Sequence, residues 1–170
     1  MLYPIVKYPE KVLDKVAAPV KDFDEKLAEL VGDMFESMYK AHGVGLAAPQ
    51  IGVSMHLAVV DLTVGEDPAQ RIVLCNPTIV ETVGRQSMEE GCLSLPGFRA
   101  PCVRPLKATV KAQNLQGEWF EMTGEDLLAR AFCHETDHLN GRLFISHLSV
   151  LRRDMIKRKI KKMIKAGEWE

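Results

Sequence analysis

Residues 127–139 read LLARAFCHETDHL, and this stretch decides the fold that we predict. His134 and His138 lie four positions apart, so on an α-helix they share one face and can bind the same metal ion. Glu135 lies one position around the helix, close enough to exchange a proton with a water molecule at that ion. The pattern therefore predicts a helix that carries a hydrolytic metal site.

Two histidines on a solvated helix face would give the same spacing. The rest of the stretch argues against that alternative because the predicted helix is largely apolar, with Leu127, Leu128, Ala131, Phe132 and Leu139. Burial of two imidazoles and two carboxylates without partners is costly. A bound metal removes that cost, so we prefer the metal site.

The chain has 170 residues and a formal net charge of −1. This length is typical of one domain with a substantial core, so we expect residues 1–170 to form a single catalytic domain. The balanced charge does not by itself recruit nucleic acid or membrane. The four cysteines lack paired spacing, the N-terminus lacks the apolar run of a signal peptide, and no segment is apolar enough to span a membrane. We therefore expect a cytoplasmic protein with free thiols and no membrane partner.

Hydrophobic spacing predicts three helices. The first covers 24–42, with Asp22 or Asp24 as its N-cap. The second is the metal-site helix, with Thr123 as its N-cap and Gly141 at its end. The third covers 149–166, with an apolar stripe formed by Leu148, Leu151, Met155, Ile156, Ile160, Met163 and Ile164.

The middle of the chain is predicted to be mostly strand. The expected strands cover 55–61, 71–75, 78–86, 107–113 and 118–122, with a hairpin turn over 114–117. Residues 43–52 are too rich in Gly and Pro for regular structure. Strands flanked by helices without regular alternation indicate an α+β fold, with antiparallel sheets around the central metal-site helix and one further helix at each end of the chain.

A catalytic metal site needs a third protein ligand and an open position. Sequence downstream of the helix does not supply it, since Phe144 stands where the extended HExxHxxGxxH pattern has its last histidine. An upstream ligand is expected, and the candidates are His42, His56, Cys75, Cys92 and Cys102, with Cys133 and His147 nearer the helix. Cys133 is rotated off the metal face. Cys92 stands out because it lies in a short stretch bounded by Gly and Pro, which can present backbone groups at a site.

Three segments together indicate a family. They are GVGLAAPQ over 43–50, EGCLS over 90–94 and HETDH over 134–138, in that order. They resemble the three signature motifs of the peptide deformylases, over roughly residues 40–142, and the final helix fits the bacterial form. The resemblance implies that Cys92, His134 and His138 ligate one divalent metal, natively Fe(II), with Zn, Ni and Co as alternatives.

The resemblance also implies a reaction, the removal of the formyl group from N-formylmethionyl nascent peptides with release of formate. Glu135 would carry the proton, while the Gln50 side-chain amide and the Leu93 backbone N–H would bind the developing oxyanion. Asp137 would have a structural role. The backbone of Gly45 is expected to contact the substrate. An apolar pocket for the methionine side chain is expected from Val44, Met88 and Leu127. Arg99 is expected near the side where the peptide leaves the site.

Three features go beyond the core motifs. Cys133 stands where many family members have Gln, and Arg130 stands where an apolar residue is common, so we expect Arg130 to narrow or polarise the rim of the pocket. The final helix carries eight basic residues opposed only by Asp154. Similar helices in bacterial deformylases dock on the ribosome, which implies the ribosome as a partner; a merely solvated helix face is the alternative.

Other classes fit the sequence less well. The pattern Gly43-x-Gly45-x-x-Ala48 imitates a dinucleotide-binding fingerprint, but a helix precedes it and Pro49 interrupts it, so no strand-to-helix turn is formed there. A zinc-stabilised binding module would need a fourth protein ligand and would not need Glu135 or Gln50. A metallopeptidase would share the metal site and is distinguished by its substrates.

Overall fold

The computed structural model describes residues 1–169. Its helices are α1 (Glu25–Lys40), α2 (Leu127–Leu139) and α3 (Val150–Lys165). Its strands are β1 (Gly45–Ala47), β2 (Leu57–Val60), β3 (Ile72–Val83), β4 (Gln86–Gly91), β5 (Arg99–Arg104), β6 (Lys107–Gln113) and β7 (Trp119–Glu125). Short 3-10 helices cover Lys11–Asp14, Ala48–Ile51, Pro68–Gln70 and Phe144–His147.

The strands form two antiparallel sheets. Five of them follow the order β1-β2-β3-β6-β7, and β4 pairs with β5 in a separate two-stranded sheet. This architecture confirms the predicted α+β fold. None of the helices within residues 1–169 is long and apolar enough to cross a membrane.

The larger sheet lies between α1 and α2, and β2 shows why. Successive side chains of a strand point to opposite faces of the sheet. Leu57 and Val59 join the cluster of α1, whereas Ala58 and Val60 join the cluster of α2. All four residues of β2 are fully buried. The two layers of core therefore fix α2 against the sheet, which is the position that the metal ligands require.

Helix α1 begins as predicted and ends at Lys40, two residues before the predicted end at 42. Asp24 is its N-cap, and the Leu27 N–H donates to the Asp24 carboxylate at 3.0 Å. Such a cap satisfies one of the free amides in the first turn. The hairpin turn over 114–117 is also confirmed, because the Asn114 N–H donates to the Glu118 carbonyl at 2.9 Å.

The prediction for the start of α2 was wrong. Thr123 lies in β7, where its hydroxyl is 2.7 Å from that of Thr109 on the neighbouring strand. The N-cap is Asp126, which has a φ of 52° and whose side chain makes no capping hydrogen bond. The strand therefore runs almost directly into the helix. The end of α2 agrees with the prediction, since Gly141 follows it with a φ of 75°.

The strand predictions were incomplete. β5 was missed because Pro101 lies inside it, although its burial alternates residue by residue. The two strands expected on either side of Asn76 form the single irregular strand β3. The prediction of no regular structure over 43–52 was wrong for Gly45–Ala47, which pairs with β2. An edge strand of three residues leaves too little sequence for a periodic pattern.

Helix α3 is held by a narrow strip of core. Ser149 is its N-cap, and Ile156 and Ile160 are buried against Leu95 and Phe144. The predicted apolar stripe was wrong in part, because Leu151, Met155 and Ile164 are exposed to 72%, 48% and 45%. Beyond the helix, Trp169 packs edge-on against Phe98 and its indole N–H donates to the Tyr8 carbonyl at 2.6 Å.

Candidate metal centre

Two elements bring three metal-binding side chains together. Cys92 follows the end of β4, and α2 carries His134 and His138 on one face. The Cys92 Sγ lies 3.4 Å from His138 Nε2, which in turn lies 3.1 Å from His134 Nε2. The three donor atoms lie within 4.8 Å of one another. They are the residues that the resemblance implied.

The other upstream candidates lie elsewhere. Cys75 is in the core beside α1, and Cys102 is buried on β5. The His56 ring lies 3.3 Å from the Pro77 carbonyl, and His42 lines the cavity described below without joining the three donors. Cys133 is buried beside Ala108 and Ala129, and burial raises the pKa of its thiol to about 11.

The donor set fits a divalent transition metal. The His134 Nδ1 lies 2.7 Å from a Glu90 carboxylate oxygen, which can only accept, so Nδ1 carries a proton and Nε2 is the nitrogen available to a metal. Burial holds the pKa of His138 well below its ordinary value, so its ring is neutral. One sulfur and two neutral imidazole nitrogens are ligands that Fe(II) and Zn(II) accept.

The buried carboxylate of Glu90 contacts the His134 ring on the nitrogen that faces away from the other metal ligands. Arg104 donates to both oxygens of Glu90, at 3.1 and 2.7 Å, and Arg130 donates to one of them at 2.5 Å. Burial alone would raise the pKa of Glu90, but the hydrogen bonds from His134 and Arg104 hold it well below its ordinary value. Glu90 therefore remains ionised and keeps the His134 ring in one orientation.

Arg130 was expected to narrow or polarise the pocket rim, and the structure shows that its charge has partners. Its guanidinium is buried, and besides Glu90 it donates to the Cys102 carbonyl at 3.0 Å and to the Gln86 side chain at 3.4 Å. Arg130 lines the cavity, but its charge is paired beneath the surface. Its position one helical turn before His134 makes this pairing possible.

Asp137, about one helical turn after His134, extends the same network. One of its oxygens accepts from Arg104 at 2.7 Å and from the His147 ring at 2.7 Å. These contacts agree with the structural role expected for Asp137. The sequence did not reveal Arg104 or the role of Glu90, although a metal-binding histidine commonly needs such a carboxylate partner. His147 was a candidate metal ligand, and it contacts Asp137 instead.

Gln50 is oriented towards the ligand cluster. Its side-chain carbonyl accepts from the Ala47 N–H at 3.0 Å, which fixes the direction of the amide. The amide nitrogen then lies 3.6 Å from Cys92 Sγ and 3.2 Å from the Ser94 hydroxyl. The Ser94 hydroxyl donates to the Val6 carbonyl at 2.7 Å, so it accepts from Gln50. Ser94 is a second positioning residue that the sequence did not reveal.

Glu135 is buried at the wall of the same site. One of its carboxylate oxygens has no hydrogen-bond partner within residues 1–169. Burial raises the pKa of Glu135 to about 7. A carboxyl group that titrates near neutral pH and has a free oxygen can both accept and return a proton.

Gly45 lies directly against Glu135. A Cβ atom on Gly45 would lie 2.9 Å from the Glu135 carboxyl carbon, closer than real side chains approach. A larger residue at position 45 would therefore displace the Glu135 carboxyl group.

These groups face a cavity of about 510 Å³. Its lining includes the predicted site residues Val44, Gly45, Gln50, Cys92, Leu93, Arg99, Leu127, His134 and Glu135. Met88 is not among the lining residues, and its side chain on β4 is 63% exposed. The alternation of side chains along β4 does not explain the exposure of Met88, because Met88 and the buried Glu90 lie two positions apart and so share a face of the strand. Met88 lies nearer the start of β4, whereas the cavity is lined by the end of that strand, from Glu89 to Gly91.

Comparisons with known proteins agree with this geometry. The sequence profile of the family described as polypeptide deformylase matches residues 2–154. A peptide deformylase of Acidobacterium capsulatum is 60% identical over 169 residues, which is 99% of each chain.

Solved structures give the same result. A crystal structure of a peptide deformylase from Legionella pneumophila superposes with a TM-score of 0.91 at 47% identity, covering 100% of this chain and 99% of that one. The peptide deformylase of Thermus thermophilus gives a TM-score of 0.88 at 37% identity, covering 98% of each chain. The chain therefore belongs to the polypeptide deformylase family, whose members are metal-dependent hydrolases that remove the formyl group from nascent peptides.

Proposed function

We propose that this chain hydrolyses the formyl group of N-formylmethionyl peptides with Cys92, His134 and His138 as ligands of one Fe(II) ion. The observation that carries the proposal is the cluster of these three donors beside a cavity that Cys92, His134, Gln50 and Glu135 line. A bound divalent ion supplies Lewis acidity, which makes water more acidic and polarises a carbonyl. The remaining chemistry belongs to residues of the chain.

Glu135 carries the proton. Its free oxygen accepts a proton from the attacking water, and the carboxyl group then gives that proton to the leaving amine of the peptide. Its raised pKa of about 7 suits both directions of transfer near neutral pH.

Gln50 and Leu93 stabilise the oxyanion. The amide of Gln50 is already aimed at the cluster by the Ala47 N–H, so its N–H groups need no reorientation as charge develops on the formyl oxygen. The backbone N–H of Leu93 is the second donor, directly after the ligand Cys92. Donors that are fixed in advance contribute most, because they cost no rearrangement in the transition state.

The methionine side chain is placed in the apolar part of the cavity, beside Val44, Leu127 and the aliphatic stem of Arg130. The buried guanidinium of Arg130 is paired with Glu90, so it offers no free charge to an acidic side chain at this position. We leave Met88 out of the proposed pocket because of its exposure.

Formate release from formyl-Met-Ala-Ser tests this proposal. Glu135→Gln is expected to retain its metal and to lose at least about 100-fold in turnover, since it removes the general base. Cys92→Ala is expected to lose the metal itself. Metal-replete Glu135→Gln protein with normal turnover would contradict the role of Glu135 as the general base. Metal-replete wild-type protein that releases no formate would contradict the proposal and favour a binding module. Cleavage of unblocked peptides at internal bonds would favour a metallopeptidase instead.

The identity of the metal has its own test. We expect elemental analysis of anaerobically purified protein to find iron at about one equivalent per chain, since the family resemblance implies Fe(II). Zinc in both aerobic and anaerobic preparations would contradict Fe(II) as the native ion while leaving the ligand set unchanged.

We further propose that α3 contacts ribosomal RNA in the cytoplasm, where nascent formylated peptides emerge. Its basic side chains Lys157, Lys161 and Lys165 are exposed on a face of α3 that does not include the buried Ile156 and Ile160. Lysines on a free helix face bind phosphates in a salt-dependent way.

Truncation after Val150 is a poor test of this contact, because it removes Ile156 and Ile160 from the core. Lys157→Glu/Lys161→Glu changes only exposed charge. We expect this variant to cosediment more weakly with ribosomes and to keep its turnover of formyl-Met-Ala-Ser. Unchanged cosedimentation across a salt titration would contradict the contact.

A further inference from the structure

A second cavity, of about 450 Å³, lies between α3 and the β4–β5 sheet. Helix α3 lines one side with residues at helical spacing, so that they share a face. The other side comes from the end of β4 and from the segment that leads into and along β5. The lining residues are Arg152, Met155, Ile156 and Lys159 on the helix, and Glu89 with residues 97–101 opposite.

This cavity, which we call the α3 groove, adjoins the proposed substrate cavity. Glu89, Gly97, Phe98 and Arg99 line both of them. The Arg99 side chain folds back over the strand, since a Cβ atom on Gly91 would lie 2.9 Å from its guanidinium. Arg99 therefore stands at the junction, close to the residue that precedes the ligand Cys92. A peptide that leaves the substrate cavity past Phe98 and Arg99 enters the α3 groove.

The α3 groove has an excess of positive charge. Arg99, Arg152 and Lys159 contribute three cations, and Glu89 contributes the single carboxylate among its lining residues. That carboxylate is already 3.7 Å from Arg99, and both side chains are mostly exposed. Within residues 1–169, neither Arg152 nor Lys159 forms an ion pair. Two cations are thus free to bind an anion.

Apolar side chains form the rest of the α3 groove. Phe98, Met155 and Ile156 line it, and Met155 is 48% exposed although it faces this cleft. A groove with an apolar floor and basic edges matches an extended peptide that carries carboxylates. A bare phosphate backbone gains nothing from the apolar floor, so the lining favours a peptide over RNA.

We propose that the α3 groove binds the downstream residues of the formylated peptide and favours acidic side chains there, through Arg152 and Lys159. The inference rests on the proposed function and narrows its substrate class to formylated peptides with carboxylates a few residues after the methionine. Opposite charges at an exposed groove attract most strongly at low ionic strength, so the preference weakens as salt is added.

The test uses three substrates. They are formyl-Met-Ala-Ser, which is too short to fill the α3 groove, and formyl-Met-Ala-Ala followed by three glutamates or by three lysines. For the wild-type enzyme at low salt, we expect a KM about fivefold lower for the glutamate peptide than for the lysine peptide, an effect of the size that screened surface charges give. The ratio should approach one at high salt.

Charge reversal assigns the preference to the groove. Arg152→Glu/Lys159→Glu should reverse the ratio of the two KM values and leave turnover of formyl-Met-Ala-Ser unchanged. Lys157→Glu/Lys161→Glu has the same net charge on the opposite face of α3, and it should keep the wild-type ratio. If the reversed variant does not fold, Arg152→Gln/Lys159→Gln provides the same comparison, with a ratio near one.

The outcomes separate the two proposals. Loss of formate release from every substrate in the wild-type enzyme contradicts the proposed function. Normal release from the short peptide with equal KM values for the two long ones contradicts only the acidic preference. Equal KM values together with weaker ribosome binding by Arg152→Glu/Lys159→Glu would assign the α3 groove to RNA and overturn the inference.

Discussion

Helices α2 and α3 both carry charged residues, but those of α2 are mostly buried and those of α3 are mostly exposed. Ten of the 13 residues of α2 are buried, including Arg130, His134 and Glu135, whereas only Ile156 and Ile160 are buried among the 16 residues of α3. Arg130 and Asp137 of α2 are held by partners at fixed distances, such as the 2.5 Å contact between Arg130 and Glu90. The basic side chains of α3 project into solvent.

A single charge substitution therefore has different consequences in the two helices. A buried ion that loses its partner keeps its desolvation cost, so one substitution has a large effect. An exposed charge is screened by water and salt, so it acts only together with its neighbours. The two helices therefore call for different experiments, and matched substitutions can test the contrast.

The largest effect is expected at Glu90. Glu90→Gln leaves Arg104, Arg130 and the His134 ring without their shared carboxylate, and should lower the free energy of unfolding by about 3–5 kcal/mol. Urea unfolding at pH 7 measures it, with each protein carrying the same metal. Glu89→Gln, next to it on β4 but 65% exposed, should stay within about 0.5 kcal/mol of the wild type. Equal losses in the two variants would break the contrast between buried and exposed charge.

The next effect concerns the apolar contacts of α3. Ile160→Ala removes a fully buried side chain and should cost about 3 kcal/mol, within the range for truncations in a core. Ile164→Ala, one turn later and 45% exposed, should cost less than about 1 kcal/mol. The same urea experiment compares them. A small loss for both would show that α3 is attached through Trp169 rather than through its buried strip.

A smaller loss of stability is expected from a substitution of Arg130. Arg130→Met removes a hydrogen-bonded cation from Glu90 but leaves the two bonds from Arg104, so about 2 kcal/mol is expected. Arg158→Met on α3 exchanges the same side chains at an exposed position and should change stability by less than about 0.5 kcal/mol. A loss at Arg158 as large as that at Arg130 would remove the distinction between the two helices.

The smallest effect is one of pH dependence, at a buried carboxylate outside α2. Burial alone would raise the pKa of Asp61, but hydrogen bonds from the Tyr39 hydroxyl, from Thr63 and from the Gly65 N–H lower it. A lowered pKa in the folded state means that Asp61 stabilises the protein above the ordinary carboxyl pKa of about 4, and that this contribution is lost as the pH falls further.

Asp61→Asn cannot titrate, so its unfolding free energy should fall less steeply than that of the wild type between pH 5 and pH 3. The quantity compared is the difference between the two proteins, because metal release at low pH affects both. Parallel curves would show that Asp61 is not stabilised in its ionised form.

Much of the fold could be predicted from local sequence. The spacing of apolar residues located α1, α2 and α3, and Asp24 and Gly141 marked helix ends by their intrinsic preferences. The ligand set followed from a resemblance over three motifs rather than from spacing alone. In each case the signal lies within a few neighbouring residues.

The errors arose where partners are distant in the chain. Arg104 and Arg130 lie 14 and 40 positions after Glu90, so no local sequence pattern predicts that both donate to the Glu90 carboxylate. Thr123 has the side chain of a helix cap, but pairing with Thr109 keeps it in the sheet. Leu151 and Met155 fit a helical stripe, although only Ile156 and Ile160 meet a neighbouring element. Tertiary contacts decided these positions.

The contact between Gly45 and Glu135 limits how this enzyme could escape an inhibitor. A compound that hydrogen-bonds to the backbone at position 45 invites resistance through a larger residue there. Such a residue would push against the Glu135 carboxyl group, 2.9 Å from the new Cβ atom, and would displace the proposed proton carrier. Resistance at this position would therefore reduce activity, which makes the Gly45 backbone a durable anchor for drug design.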